Sequence, residues 1–120
     1  KMKKTTVKKN FFVKEQLEIA KEWIEKFDSY WLSIIDRTEP CPQIVYDELK
    51  KWQELALNNC SIGKSDEENL KVAIEFIKNF PIYWTTIVVK TLFGSPGITK
   101  EIENWRTQAL FEIDKYKNRY

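Results

Sequence analysis

The side chains in this sequence that could do chemistry are carboxylates, lysines and two cysteines, because its 120 residues include no histidine. Without an imidazole, the chain lacks the most common general base and metal ligand, and no serine or cysteine has a histidine to activate it. Cys41 and Cys60 are nineteen positions apart, unlike the two-residue spacing of zinc and redox pairs. We therefore predict a non-enzymatic protein with no catalytic residue, no metal site and no cofactor, and we interpret both cysteines as reduced thiols of a cytoplasmic protein.

Two further patterns are similar to chemical sites but fail on context. Acidic residues such as Glu15 and Glu18 alternate with lysines, which is typical of a solvated helix face with ion pairs. The tripeptide Gly-Lys-Ser at 63–65 is similar to the end of a phosphate-binding loop. That loop needs a glycine where Asn58 stands and a strand in front of it, so the tripeptide does not indicate a phosphate site. The alternating acidic residues do not indicate a metal site either.

The charges are distributed unevenly along the chain. The whole sequence has 20 basic and 18 acidic residues, a formal net charge of +2. Six lysines and no acid occur in the first fourteen residues, and three more basic residues occur in the last six, so the central hundred residues have a net charge of −7. Basic ends on an acidic body indicate either contact with a polyanion or an acidic protein, or a frayed and solubilising terminus.

Apolar side chains repeat at helical intervals along most of the chain. Between Val13 and Ile34 they occur at alternating steps of four and three residues, which predicts one helix that ends before Pro40. Similar steps predict a second helix over 42–60 and a third over 65–80, the latter started by a serine–glutamate capping box.

The stretch from Ile82 to Phe93 leaves two interpretations open. Its β-branched run over 85–89 suits a strand, but no second strand candidate exists with which it could pair. We therefore favour a fourth helix after Pro81, buried at the centre of the core because it is apolar on nearly all sides. A fifth helix follows Pro96, with acidic residues near its start and basic residues near its end.

These elements predict an all-α fold, a single-domain bundle of about five helices. Residues 1–12 would form a basic segment outside the bundle domain, which covers residues 13–120. The longest apolar run, at 87–89, is too short to cross a bilayer, so we expect no membrane role.

Candidate binding residues are cations on the predicted helix faces and aromatic residues near the two ends. Lys64, Lys71 and Lys78 recur every seven residues and should share one face, a spacing that can follow phosphate groups. The full cationic set is Lys50, Lys51, Lys64, Lys71, Lys78, Lys100 and Arg106. The candidates for partner contact or base stacking are Phe11, Phe12, Tyr116 and Tyr120. The alternatives are an ordinary charged helix face for the cations and a contact that docks the first helix for the two phenylalanines.

A small helical bundle without catalytic residues, with outward lysines, many aromatic residues and Met2 in a start-like context, resembles the small subunit of multi-subunit CRISPR effector complexes. The resemblance covers 13–119 as an architecture. It implies a non-catalytic subunit, present in more than one copy, that contacts neighbouring protein subunits and steadies single-stranded DNA or RNA, guide or target. The cationic set would contain the phosphate contacts. Because the body is acidic, we expect binding within an assembly. A helical adaptor or inhibitor of another protein, with no nucleic-acid role, is the alternative.

Overall fold

Five helical segments account for nearly all of the backbone in the computed structural model, which describes residues 2–35 and 41–117, with side chains over 12–34 and 41–115. The segments are α1 (Met2–Glu25), α2 (Phe27–Ile35), α3 (Gln43–Asn59), α4 (Asp66–Thr91) and α5 (Pro96–Lys117). No strand occurs among the described residues. The prediction of an all-α bundle is confirmed, although several predicted helix boundaries are wrong.

The first predicted helix is longer than expected and is interrupted once. It begins at Met2 instead of Val13, and a single non-helical residue, Lys26, separates α1 from α2. Backbone hydrogen bonds continue through this point, because the Lys26 N–H donates to the Glu22 carbonyl at 2.9 Å and the Tyr30 N–H to the Lys26 carbonyl at 3.3 Å. Therefore α1 and α2 form one column, and the fold is a bundle of four columns.

The third and fourth predicted helices are one helix, α4, which continues through Pro81. A proline inside a helix removes one backbone donor and crowds the carbonyl four residues earlier, so a break was expected. Burial explains the continuity, because Ile77 and Phe80 before the proline and Trp84 and Ile87 after it all lie in the core. The strand interpretation of 85–89 is wrong, as is the expectation that this part of the chain is buried on all sides.

Helices α3 and α5 run antiparallel to α4, whereas the column of α1 and α2 runs parallel to it, because Phe27 contacts Phe80 and Trp31 contacts Trp84. On one side, Tyr83 of α4 donates to the Glu48 carbonyl of α3 at 3.2 Å, and on the other the Arg106 side chain of α5 reaches the Lys78 carbonyl of α4 at 2.9 Å. Polar side chains also fasten α1 to its neighbours, since Gln16 donates to the Ile113 carbonyl at 3.0 Å and Gln53 to that of Ile24 at 2.9 Å. Thus α4 packs between α3 and α5, and α1 packs against all three of these helices to complete the core.

Four aromatic rings, one from each of α2, α3, α4 and α5, meet at the centre of the core. They belong to Phe27, Trp52, Phe80 and Trp105, and the distances between their centroids range from 4.3 Å for Trp52–Phe80 to 6.0 Å for Trp52–Trp105. Most pairs are edge to face, the arrangement that ring quadrupoles favour. This cluster holds the helices in fixed register and so determines which side chains each surface presents.

Candidate binding surfaces

The lysine repeat predicted for one helix face is only partly present. Lys71 and Lys78 are both exposed on α4, and their seven-residue spacing places them on the same side of the helix. Lys64 lies before the helix, where Ser65 is the N-cap and accepts a hydrogen bond from the Glu68 N–H at 3.2 Å. The Lys64 N–H itself donates to the Glu68 carboxylate at 2.9 Å, so the predicted capping residues position this lysine in the loop.

One further predicted cation joins the two lysines on α4. The Arg106 Nε donates to the backbone carbonyl of Lys78 at 2.9 Å, which holds the guanidinium of α5 beside α4. Neither Lys71 nor Lys78 forms an ion pair with the other described residues. We call Lys71, Lys78 and Arg106 the basic face.

The remaining predicted cations lie on other sides of the bundle. The Lys50 ammonium lies 4.0 Å from the Asp28 carboxylate, against α2. The Lys51 ammonium lies 3.4 Å from Glu48, and Lys100 is exposed on α5. The structure therefore brings together three of the seven predicted positions.

Glu48 is the centre of an ion cluster between α3 and α4 that sequence reasoning missed. Its Oε2 lies 3.4 Å from the ammonium nitrogens of both Lys51 and Lys90, while its side chain is only 11% exposed. Burial raises the pKa of the Glu48 carboxyl, but the two lysine charges and their hydrogen bonds outweigh it, so the net shift is downward. No sequence signal pointed to Lys90, because its partner is 42 positions away.

Tyr83 closes the same cluster from α4. Its hydroxyl donates to the Glu48 carbonyl at 3.2 Å and lies 3.5 Å from the carboxylate Oε1. Burial raises the pKa of the Tyr83 hydroxyl, and the neighbouring Glu48 charge and hydrogen bond raise it further. Because Lys51 and Lys90 are 71% and 59% exposed, the cluster presents two ammonium groups to solvent over a partly buried carboxylate.

Most of the predicted aromatic contact residues have side chains outside the described part of the chain. Phe12 is half-buried and makes contacts of its own. The side chains of Phe11 and Tyr116, and the whole of Tyr120, lie outside the described residues.

An apolar surface that the sequence did not predict covers the outward side of α4. Ile82, Val89 and Leu92 are 66%, 72% and 90% exposed, and Thr85 and Thr86 between them are exposed as well. We call these five residues the α4 stripe. Among the described residues, α4 is also the one helix whose length and composition would allow it to cross a membrane, a test that core helices of soluble proteins pass too.

The cysteines and carboxylates form no cluster among the residues that the structure describes. Cys41 and Cys60 are free thiols, and burial raises the pKa of both. No group of three or more cysteine, aspartate or glutamate residues in this part of the chain could hold a metal ion.

Comparison with known proteins gave no relative. The chain matches no model of a protein family, and neither a curated protein nor a solved structure is significantly similar to it.

Proposed function

We propose that this protein is a non-catalytic helical subunit of a larger, RNA-guided assembly, in which it steadies single-stranded DNA or RNA through phosphate contacts. The observation that supports this most is the basic face, where Lys71, Lys78 and Arg106 present three cationic groups on adjoining sides of α4 and α5. The proposal agrees with the resemblance to the small subunits of CRISPR effector complexes.

The basic face suits contact with a phosphate backbone. Lys71 and Lys78 are separated by about 10 Å along α4, and the planar guanidinium of Arg106 is the side-chain group that binds phosphate in a bidentate manner. Phosphate contacts carry no sequence information, so binding should depend on salt and tolerate any base sequence.

The charges around the basic face favour an assembly over the isolated chain. Glu67, Glu68 and Glu75 are exposed on the same helix, and their negative charges weaken the potential that an approaching phosphate meets. Neighbouring subunits that hold the strand in place would compensate for this weak attraction by raising its local concentration. We therefore propose that the protein contacts protein subunits as well as nucleic acid; that it is present in more than one copy is what the resemblance to the CRISPR small subunits implies.

The proposal is tested by a salt titration of the binding of labelled single-stranded DNA and RNA to the protein. The variant Lys71→Ala/Lys78→Ala/Arg106→Ala should lower the slope of log affinity against log salt by about two units, because each lost phosphate contact removes about 0.7. Melting monitored by circular dichroism verifies that the variant is folded.

A matched control removes three cations from other sides of the bundle. Lys26 and Lys50 form ion pairs with Glu22 and Asp28, and Lys100 lies on α5 away from the basic face. The variant Lys26→Ala/Lys50→Ala/Lys100→Ala loses the same net charge. Equal slopes for the two triple variants would contradict a phosphate-binding role for the basic face.

A helical adaptor or inhibitor without a nucleic-acid role is the second candidate. The α4 stripe favours it, because exposed apolar side chains grouped on one helix face are typical of protein-binding surfaces. For this function we expect no binding of nucleic acid at low salt, including after addition of partner subunits.

A further inference from the structure

We propose that the α4 stripe is a docking surface for an amphipathic helix of a partner protein, one whose apolar residues are flanked at both ends by acidic side chains. This interaction goes beyond the proposed nucleic-acid role and does not require it, but it shares Lys78 and Arg106 with the basic face, so the two partners would compete there.

The stripe has the spacing and composition of a helix-binding face. Ile82, Thr85, Val89 and Leu92 follow one another at steps of three, four and three residues, so they lie on the same side. The eleven residues from 79 to 89 include no charged side chain. Both threonine hydroxyls are already bonded to the helix backbone, Thr85 to the Pro81 carbonyl at 3.0 Å and Thr86 to that of Tyr83 at 2.6 Å. The stripe therefore offers mainly methyl groups to a partner.

Leu92 is an independent sign that this surface has a partner. Its φ of 57° is in the left-handed region, and the residue caps α4 by donating its N–H to the Val88 carbonyl at 2.7 Å. Glycine or asparagine normally occupies this position, because a leucine there has a steric cost. In the isolated chain its side chain is 90% exposed and gains little from packing. Burial of the Leu92 side chain beneath a bound helix would offset the steric cost of its backbone conformation.

One pair of cations before the stripe and a second pair beside its last turn define the chemistry of the partner. Lys78 lies one turn before Ile82 with Arg106 beside it, and Lys90 directly follows Val89 with Lys51 beside it. The two pairs are separated by about 18 Å along α4. A partner helix with acidic residues about twelve positions apart would match both pairs while its apolar residues cover the stripe.

The charges argue against a second copy of this chain as the occupant, and the residue types of the stripe argue against a lipid surface. A second copy that packed the stripe against itself in a symmetric pair would bring cations against cations. Peripheral helices that enter lipid carry exposed aromatic or leucine side chains along their apolar face. The stripe contains no aromatic residue, and its single leucine, Leu92, lies at its carboxyl end and not along its length.

The test uses the full chain and a labelled, designed eighteen-residue helix with leucines along one side and a glutamate pair at each end. We expect micromolar binding by fluorescence anisotropy, and a peptide with lysines in place of the glutamates should bind at least about tenfold more weakly. The variant Ile82→Ser/Val89→Ser, which keeps the net charge, should lose about tenfold in affinity for the glutamate peptide. The control variant Ile62→Ser/Phe111→Ser, with apolar residues that are 76% and 62% exposed elsewhere, should bind like the wild type.

Four results would overturn the proposal. Equal affinity for the glutamate and lysine peptides would contradict the charge complementarity. An equal loss of peptide affinity in both serine variants would contradict a binding role for the stripe. Loss of binding to phosphatidylserine vesicles in Ile82→Ser/Val89→Ser alone would identify a lipid occupant. Loss of a dimer in sedimentation of that variant would identify a second copy. Because this variant keeps all its cations, its salt titration with nucleic acid tests the proposed function separately.

Discussion

At the scale of single residues, Glu48 makes the interaction between α3 and α4 depend on pH. Its pKa is lower in the folded chain than the ordinary value of 4.5, because the two lysine charges and hydrogen bonds exceed the effect of burial. A group with a depressed folded-state pKa stabilises the fold above its unfolded-state pKa, and this contribution is lost as the pH falls through the folded-state pKa. We therefore expect Glu48→Gln to lower the free energy of unfolding at pH 7, and this deficit should be smaller at pH 3.

Urea denaturation at the two pH values measures this difference. Glu54→Gln is the matched control, because Glu54 is exposed on the same helix and forms no ion pair with the described residues. A deficit of Glu48→Gln that is as large at pH 3 as at pH 7 would show that its carboxylate charge is not the source of stability.

Leu92 allows a second prediction at this scale. It is the only non-glycine residue with a positive φ in the described part of the chain. We expect Leu92→Gly to raise the free energy of unfolding by about 1 kcal/mol, because the steric cost of the left-handed conformation exceeds the added entropy of the unfolded chain. Leu92→Ala keeps the strain and should bring no gain in urea denaturation. Equal stability of the two variants would contradict the assignment of strain.

The sequence showed that the basic face would consist of lysine and arginine, but it did not show which of the seven predicted cations lie together. The seven-residue spacing correctly predicted that Lys71 and Lys78 share a side, since this follows from the helical period alone. The separation of Lys50 from Lys51 depends on which side of α3 meets α2 and which meets α4. Lys90 was missed for the same reason, because its partner Glu48 is local only in the folded chain.

At the scale of elements, Pro81 gives a prediction about α4. An internal proline costs a helix about 3 kcal/mol, while its rigidity in the unfolded chain returns about 1 kcal/mol. Pro81→Ala should therefore raise the free energy of unfolding by about 2 kcal/mol in urea. Asn79→Ala, also on α4 and exposed, should gain only about 0.5 kcal/mol from helix propensity. A loss of stability in Pro81→Ala would mean that the packing of Phe80 and Trp84 requires the local geometry of the proline.

The number of predicted helices agrees with the structure because two boundary errors cancel. One predicted break is absent, and one break that the structure has was not predicted. Local rules placed a break at Pro81, where burial of Phe80 and Trp84 keeps the helix continuous. The same rules placed no break at Lys26, where the structure has one. Outside the stretch from 82 to 93, periodicity predicted the buried side of each helix correctly, because burial of that side is what the repeat reflects. It could not predict where tertiary packing overrides a local signal.

At the scale of the whole molecule, the basic end of the chain is continuous with the bundle. Helix α1 begins at Met2, so the lysines at its start lie on the same helix whose buried side chains, among those described, begin at Gln16. The net charge of +2 divides into +6 in the first fourteen residues, −7 in the central hundred and +3 in the last six. Under the proposed function, a strand at the basic face would gain further phosphate contacts from this end, because charges on one polyanion act together.

A variant of the lysines at the start of α1 distinguishes contact with a polyanion from a solubilising role. In the full chain, Lys3→Gln/Lys4→Gln/Lys8→Gln/Lys9→Gln keeps helix propensity close to that of lysine, so the thermal midpoint should not change. The slope of log affinity for single-stranded RNA against log salt should fall by about three units, since four contacts are removed at about 0.7 each. Affinity for the glutamate peptide should stay constant, because that peptide binds the α4 stripe. An unchanged slope would show that these lysines only solubilise the chain, and phosphate binding would then be confined to the basic face.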